Sequence, residues 1–209
     1  MYIVRYTDDF KIFTDSHPNA IRVFHRVQGC LKDNLNLEIA SEKSKVTNLR
    51  KRKTEFLGFD LKANKKRKSF VAHTCVSTSR KNKSKHFIRN LIKNIQKTST
   101  IKSLNKYDYY VLGVHNYYKI ATHVHSDFSE IAYSCSRSLT KRLRSCGKYG
   151  LPRSQPDVYK KLYKGNYRTF TIRGKLLFPT ANIRWYKASI PPLLSEITQW
   201  KVCFNDTNY

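Results

Sequence analysis

The N-terminal part of the chain changes from strand-like to helix-like hydrophobic spacing, which restricts the fold to one that combines sheets with helices. Residues 2–6 and 10–13 are short runs rich in aromatic and β-branched side chains, and residues 7–9 between them predict the turn of a β-hairpin. Ser16 and the proline two positions later then indicate a helix start. This order predicts an α+β or α/β layer. The apolar residues at helical spacing are Ala20, Ile21, Phe24, Val27, Leu31 and Leu35.

Further short segments have a strand-like composition. We expect strands at residues 37–39, 43–48 and 55–61, and Gly58 interrupts the last of them. A basic loop is predicted at residues 62–68, because lysine and arginine dominate this segment.

Helical spacing returns in the middle of the chain, around residues 88–95, 109–118 and 128–143. Three helices with cationic outer faces predict a small bundle. The residues expected to close its core are Ile88, Leu91, Ile95, Leu112, Phe128, Ile131 and Leu139.

Glycine and proline become frequent after residue 147, and the helical pattern weakens. Residues 167–172 and 175–178 have strand-like composition around Arg173 and Gly174. We therefore expect a second short β-hairpin here.

Positive charge is concentrated in one long stretch of the sequence. Lys and Arg number 41 against 14 Asp and Glu, a net charge of +27, and no acidic residue lies between Asp60 and Asp108. Such a field attracts phosphate backbones, so a nucleic acid is the expected partner. The alternatives are an anionic membrane surface and a merely solubilising surface, although the latter usually mixes both signs. The expected nucleic-acid contacts in this stretch are Lys65, Lys66, Arg67, Lys68, Arg80, Lys81, Lys83, Lys85 and Arg89.

Composition also argues against other classes of protein. Hydrophobic residues make up 40% and aromatic residues 13%, which excludes a disordered basic tail. No apolar run approaches the roughly 18–20 residues of a bilayer span, and Arg5 and Asp8 interrupt the stretch where a signal peptide would lie. The five cysteines form no C-x-x-C pair, which argues against a disulfide framework or a zinc site. We expect a folded intracellular protein, cytoplasmic or organellar.

Two adjacent carboxylates, Asp8 and Asp9, lie at the predicted turn of the first hairpin. Like charges this close repel one another, and a divalent cation bound by both removes that repulsion. Mg²⁺ takes oxygen ligands of this kind together with substrate phosphates, as in two-metal phosphoryl transfer. The simpler interpretation is an Asp-rich turn, because Asp is a favoured turn residue.

Four segments resemble, in order, sequence blocks of group II intron reverse transcriptases. YTDD at residues 6–9 resembles the YxDD box of that family, and LEIASEKSK at residues 37–45 is similar to the block that follows it. FLGF at residues 56–59 matches an F-L-G-F/Y block, and LGVHNYYKIA at residues 112–121 resembles the maturase-specific thumb region. The resemblance covers about residues 2–145, and the later part is only generally similar to the basic DNA-binding segment of the family.

The resemblance implies a fold, an activity and partners. It implies an α+β fold with a partial polymerase palm at residues 1–72, a helical thumb and maturase-specific region at 73–146, and a basic nucleic-acid-binding region at 147–209. The activity would be RNA-directed DNA synthesis, a nucleotidyl transfer that uses Mg²⁺, deoxynucleoside triphosphates and an RNA/DNA primer-template. The family also binds group II intron RNA in a ribonucleoprotein and assists splicing, whose chemistry the RNA itself carries.

The matched blocks also imply roles for individual residues. Asp8 would bind the metal with Asp9 as its supporting neighbour. Lys43 would face the triphosphate and protonate the departing pyrophosphate, and its simpler interpretation is a solvated loop lysine. Tyr117 is equally well explained as core packing. The residues implied to contact primer or RNA are Tyr6, Phe56, Leu57, Gly58, Asn116 and Tyr117.

In the family, the fingers and the first half of the palm precede the YxDD box and supply the other metal-binding Asp. We therefore expect this chain to be the C-terminal portion of such a protein, with a separately encoded N-terminal half as a candidate partner. Thr7 stands where the family usually has a small residue. Two alternatives stay open: a non-catalytic RNA-binding module, and a small DNA-binding protein, which the lack of helix-turn-helix or zinc-finger signatures weakens.

Overall fold

The computed structural model describes residues 1–40 and 42–184, so part of the predicted basic region at 147–209 lies outside the described residues. The described residues form two compact units, Met1–Thr74 and a second unit that begins at Cys75. They show small antiparallel sheets and five helices, which confirms the predicted α+β class. No helix in the described ranges combines the length and the apolar character that crossing a membrane requires.

The first unit begins with the hairpin and the helix that the hydrophobic spacing predicts. Strand β1 (Tyr2–Tyr6) pairs antiparallel with strand β2 (Asp9–Phe13). Helix α1 (His17–Leu35) follows, with a proline in its first turn. It ends at Asn36, whose φ of 51° is left-handed and whose N–H bonds back to the last turn. This is a common way to satisfy the carbonyls at a helix C-terminus.

The strands predicted at residues 37–39 and 43–48 are wrong. The N–H of Leu37 closes the end of α1 instead of joining a sheet. The N–H groups of residues 43 and 44 both bond to the carbonyl of Ala40 and form a turn. Local hydrogen bonds therefore use backbone donors that a sheet would need.

The sheet of the first unit contains β3 (Thr54–Phe56), β4 (Phe59–Lys66) and β5 (Ser69–Val76) in that order. The single strand predicted at residues 55–61 is in fact two strands. The basic loop predicted at residues 62–68 is also wrong, because most of it continues β4.

The burial of one alanine explains why strand β4 continues through a lysine-rich segment. Ala63 is buried, and its N–H donates to the carbonyl of Leu49 at 2.8 Å. Leu49 and Ala63 form a small core against Phe13 and Phe70. One alanine among charged residues is a weak pattern, so the charge dominated the sequence interpretation.

The second unit is built on three helices, α2 (Thr78–Lys97), α3 (Ile101–Tyr118) and α4 (Val124–Leu143). The predicted helical bundle is therefore confirmed, and each helix is longer than its apolar spacing indicated. Leu112 and Leu139 are only half-buried. The predicted core residues that are buried are Ile88, Leu91, Ile95, Phe128 and Ile131.

A second small sheet completes this unit. It contains β6 (Lys148–Gly150), β7 (Thr169–Ile172) and β8 (Lys175–Leu176), and α5 (Asp157–Leu162) lies between β6 and β7 in the chain. The predicted hairpin is confirmed, with positive φ at residues 173 and 174 in its turn.

Helix α3 holds this hairpin through buried polar contacts. Asp108 accepts the N–H of Phe178 at 2.9 Å, and its other oxygen lies 2.9 Å from the ammonium of Lys175. The hydroxyl of Tyr107 lies 2.9 Å from that of Thr180. Buried polar groups are costly unless they are bonded, so these contacts fix the hairpin against the bundle.

Candidate nucleic-acid interface

The carboxylates of the YTDD string lie at the tip of the β1–β2 hairpin. Thr7 has a left-handed φ of 49°, and Nε of Arg5 donates to its carbonyl at 2.8 Å. Tyr6, Asp8 and Asp9 are all exposed. The tip therefore presents its carboxylates to solvent and not inside a pocket.

Asp8 and Asp9 alone do not complete a two-metal site. The next acidic residue, Asp15, lies beyond the far end of β2, which at about 3.3 Å per residue puts it roughly 20 Å from the tip. Within residues 1–40 and 42–184, no three His, Cys, Asp or Glu side chains are grouped as metal ligands. Two-metal catalysis needs carboxylates that hold both ions. The described residues therefore do not fit a complete magnesium site.

Two lysines of the first unit, Lys43 and Lys11, differ in their exposure to solvent. Lys43 is exposed in a turn, and its side chain makes no hydrogen bond or ion pair within the described residues. Lys11 donates from Nζ to Oγ1 of Thr54 at 3.0 Å. Burial is the main cause that lowers the pKa of Lys11; Lys45 lowers it further and Asp9 opposes the change. The sequence interpretation did not single out Lys11.

The FLGF block forms a tight turn between β3 and β4. Phe56 lies opposite Phe59, and φ is 52° at Leu57 and 80° at Gly58. A two-residue hairpin turn with two left-handed residues favours glycine at the second of them. Phe56 and Leu57 are half-buried, so they present only part of their apolar surface.

Four consecutive cations form the end of the β4–β5 hairpin, and we call residues 65–68 the basic tip. Lys65, Lys66, Arg67 and Lys68 are all exposed. None of their side chains forms an ion pair among the residues that the structure describes. Arg67 has a left-handed φ of 53°, which marks the turn. The basic tip is therefore a concentrated positive charge that no ion pair within residues 1–40 and 42–184 neutralises.

Two of the α2 cations that are predicted to contact nucleic acid form ion pairs with α4. Lys81 and Lys85 each lie 2.6 Å from an oxygen of Glu130, and Lys81 lies 3.3 Å from Asp127. Burial opposes the charge on Lys81, but Glu130 and Asp127 outweigh it and raise its pKa. Hydrogen bonds from both lysines lower the pKa of Glu130. Two predicted RNA contacts thus have structural partners.

The remaining α2 cations are exposed. Arg80 and Lys83 make no ion pair in the part of the chain that the structure describes. Arg89 lies further along α2, where it reaches α4 and donates to the carbonyl and hydroxyl oxygens of Ser134.

An open groove of about 360 Å³ runs along the surface between α2 and α4, and we call it the basic groove. Its lining contains four cations and two hydroxyls, and no acidic side chain. The sequence interpretation found only one of these residues. Arg137 and Lys141 are four positions apart on α4, and this spacing could have indicated that their charges share one face of the helix. The lining residues are Arg89, Ser134, Arg137, Ser138, Lys141 and Arg142.

The residues near the end of α3 separate into surface and core. Asn116 is exposed and accepts from Nζ of Lys119 at 3.0 Å. Tyr117 is exposed, whereas Tyr118 is buried, and the two rings pack edge to face. Of the two tyrosines, only Tyr117 therefore presents its ring to solvent.

The predicted site residues lie on several surfaces. In the first unit the YTDD string, the FLGF block and the basic tip are the ends of three different hairpins. In the second unit Lys81, Lys85 and Arg89 of α2 lie on the same edge of the bundle as the basic groove. Comparison with protein-family models gave no match, and comparison with curated protein sequences gave none.

Proposed function

We propose that this chain binds structured RNA as the palm-end and thumb portion of a reverse transcriptase/maturase of the group II intron type. The observation that carries RNA binding is the basic tip, four exposed cations in a row without an ion pair among the described residues. The order of the YTDD, FLGF and LGVHNYYKIA blocks supports the family and makes intron RNA the proposed partner.

The proposed role in splicing is to bind and shape RNA, since the intron itself carries the chemistry. Cations that neutralise phosphates release condensed counterions, which makes binding favourable and strongly dependent on salt. Neutralisation also reduces the repulsion between RNA segments that must approach one another. A ribonucleoprotein is the assembly in which this role would be performed.

RNA-directed DNA synthesis is the second part of the proposal and needs more than the described residues. Asp8 and Asp9 would supply two of the carboxylates that two-metal nucleotidyl transfer requires. A further carboxylate would come from another segment or from a separately encoded partner. The incomplete carboxylate set favours the second candidate, a non-catalytic RNA-binding module, and both candidates share RNA binding.

The test replaces the basic tip and follows binding of a labelled group II intron transcript. Lys65, Lys66, Arg67 and Lys68 become Gln in one variant. Affinity of the unaltered chain should fall by orders of magnitude between about 50 and 200 mM salt, and the variant should bind more weakly with a flatter salt slope. The matched control loses four exposed cations elsewhere, at Arg22, Arg26, Lys32 and Lys51.

Two results would contradict the proposal. The first is the same affinity and salt slope in the tip variant and the control variant, which would move the binding surface elsewhere. The second is equal affinity for the intron transcript and for duplex DNA of similar length, which would favour a DNA-binding protein.

A further inference from the structure

The edge between α2 and α4 changes from charge-compensated to purely cationic along its length. The two helices run parallel, since Lys85 meets Glu130, Arg89 meets Ser134, and a later α2 residue meets Arg142. Glu130 is the acidic residue nearest the groove on this edge, and its two oxygens are already bonded to lysines. From Arg89 onward the groove presents only positive charge and hydroxyls.

Hydrogen bonds hold two guanidinium groups in place at the groove. One nitrogen of Arg89, Nη2, donates to the carbonyl of Ser134 at 2.8 Å and to its Oγ at 2.7 Å. Nη1 of Arg142 donates to Oε1 of Gln96 at 2.7 Å. Each planar guanidinium keeps further N–H groups for an anion, and Arg suits bidentate contact with phosphate.

The other two cations of the groove are not held by hydrogen bonds from the described residues. Arg137 and Lys141 are exposed and make no hydrogen bond or ion pair within residues 1–40 and 42–184. They lie one turn apart on α4, so their charges point along the same face. Two fixed guanidiniums and two adaptable cations form a site that fits a phosphodiester.

An exposed aromatic side chain lies on α4 one helical turn before a groove-lining arginine. Tyr133 is 84% exposed and precedes Arg137 by four residues on α4, which places the two side chains side by side. The ring therefore contributes little to the core. Stacking of a nucleic-acid base on an exposed aromatic ring is the usual way in which single strands are held beside a cationic groove.

We propose that the basic groove binds the phosphodiester backbone of a single-stranded RNA segment while Tyr133 stacks on an adjacent base. This inference rests on the proposed RNA-binding function. It adds a second RNA-binding surface, which is specific for single-stranded RNA. A duplex would not satisfy the site, because its bases are already stacked inside the helix and are not presented to an aromatic ring.

The test uses an unstructured RNA of roughly 12 nucleotides and its duplex, with affinity measured by fluorescence anisotropy. Arg137→Gln with Lys141→Gln should weaken binding of the single strand about tenfold. The matched control, Arg22→Gln with Arg26→Gln, removes the same charge from exposed i and i+4 positions of α1 and should change affinity less than about twofold.

The stacking contact has its own variants. Tyr133→Ala should weaken the single strand about tenfold and leave the duplex unchanged, whereas Tyr133→Phe should retain affinity. Photocrosslinking of the RNA with 5-iodouridine should label Tyr133. All the altered side chains are exposed, and circular dichroism of each variant checks that the fold is intact.

The outcomes separate this inference from the function on which it rests. If the intron transcript binds but the groove variant matches its control, the groove assignment is wrong and RNA binding stands. Equal weakening of single strand and duplex by Tyr133→Ala, or no weakening of either, would overturn the stacking contact. Failure of the unaltered chain to bind any RNA would overturn both.

Discussion

Acidification should destabilise the second unit through one buried histidine. The ring of His115 stacks on Phe128 with centroids 3.5 Å apart, and its Nε2 lies 2.6 Å from the carbonyl oxygen of Thr180. A carbonyl only accepts, so Nε2 carries the proton and the neutral ring satisfies the contact. Burial is the main cause that lowers the pKa of His115 to about 4; the Thr180 carbonyl opposes this change and His125 adds to it.

The sign and size of the effect follow from this pKa. Histidine in the unfolded chain titrates near pH 6.5, so below that pH the unfolded state binds a proton that the folded unit excludes. Stability contributed by His115 is constant above about pH 7 and falls between about pH 6.5 and about pH 4. The full difference is roughly 3 kcal/mol. Asp108 acts in the opposite direction, because burial raises its pKa and protonation then favours the folded state.

A neutral variant separates the two groups. His115→Gln retains an N–H donor for the Thr180 carbonyl but does not titrate, and it leaves Asp108 in place. Urea unfolding followed by circular dichroism from about pH 7 to about pH 4.5 should show an extra loss of about 2 kcal/mol in the unaltered chain at about pH 5. Identical pH slopes in the two proteins, or an NMR titration of His115 near pH 6.5, would refute this reasoning.

Two further outcomes are expected, one for the hairpin carboxylates and one for hydrogen exchange in the two units. Primer extension on a poly(rA) template with Mg²⁺ or Mn²⁺ should be absent for the 209-residue chain, because the hairpin carboxylates have no third carboxylate nearby among the described residues. Extension that Asp8→Ala abolishes would contradict it. Amide hydrogen exchange should be slow across residues 86–144 and faster across residues 1–15, because Ile3 and Phe10 on the two-stranded sheet are exposed. Equally strong protection in both regions would show that the hairpin is covered.

Elements with a strong and regular hydrophobic pattern could be predicted from the sequence. The β1–β2 hairpin followed from aromatic and β-branched runs on either side of a turn, and α1 and the three helices of the bundle followed from apolar residues at helical spacing. The wrong predictions concern short segments whose pattern is weak. Residues 37–39 look strand-like, but the cap of α1 takes the backbone donor at Leu37. Residues 62–66 look like a charged loop, although a single buried alanine anchors them as strand β4.

For the candidate site, the sequence predicted only the net positive charge of a segment and not the contacts of its individual side chains. Sequence counting shows where acidic residues are missing, but it cannot show which lysine meets which carboxylate across two helices. Lys81 and Lys85 looked identical to their neighbours until the register of α2 against α4 placed Glu130 between them. The same register creates the basic groove from residues about 45 positions apart, such as Arg89 and Ser134. Tertiary contacts of this kind leave no local signal.

The few acidic residues of the second unit explain why its surface field is so one-sided. Between residues 75 and 184 the acids are Asp108, Asp127, Glu130 and Asp157. Asp108 and Asp127 accept backbone N–H groups from distant segments, and Glu130 binds two lysines. Asp157 lies in the first turn of α5, where a negative charge is favourable. Each carboxylate thus has a local structural role, and none lines the basic groove. The cations that line the basic groove have no acidic side chain among that lining to neutralise them, so they attract a polyanion.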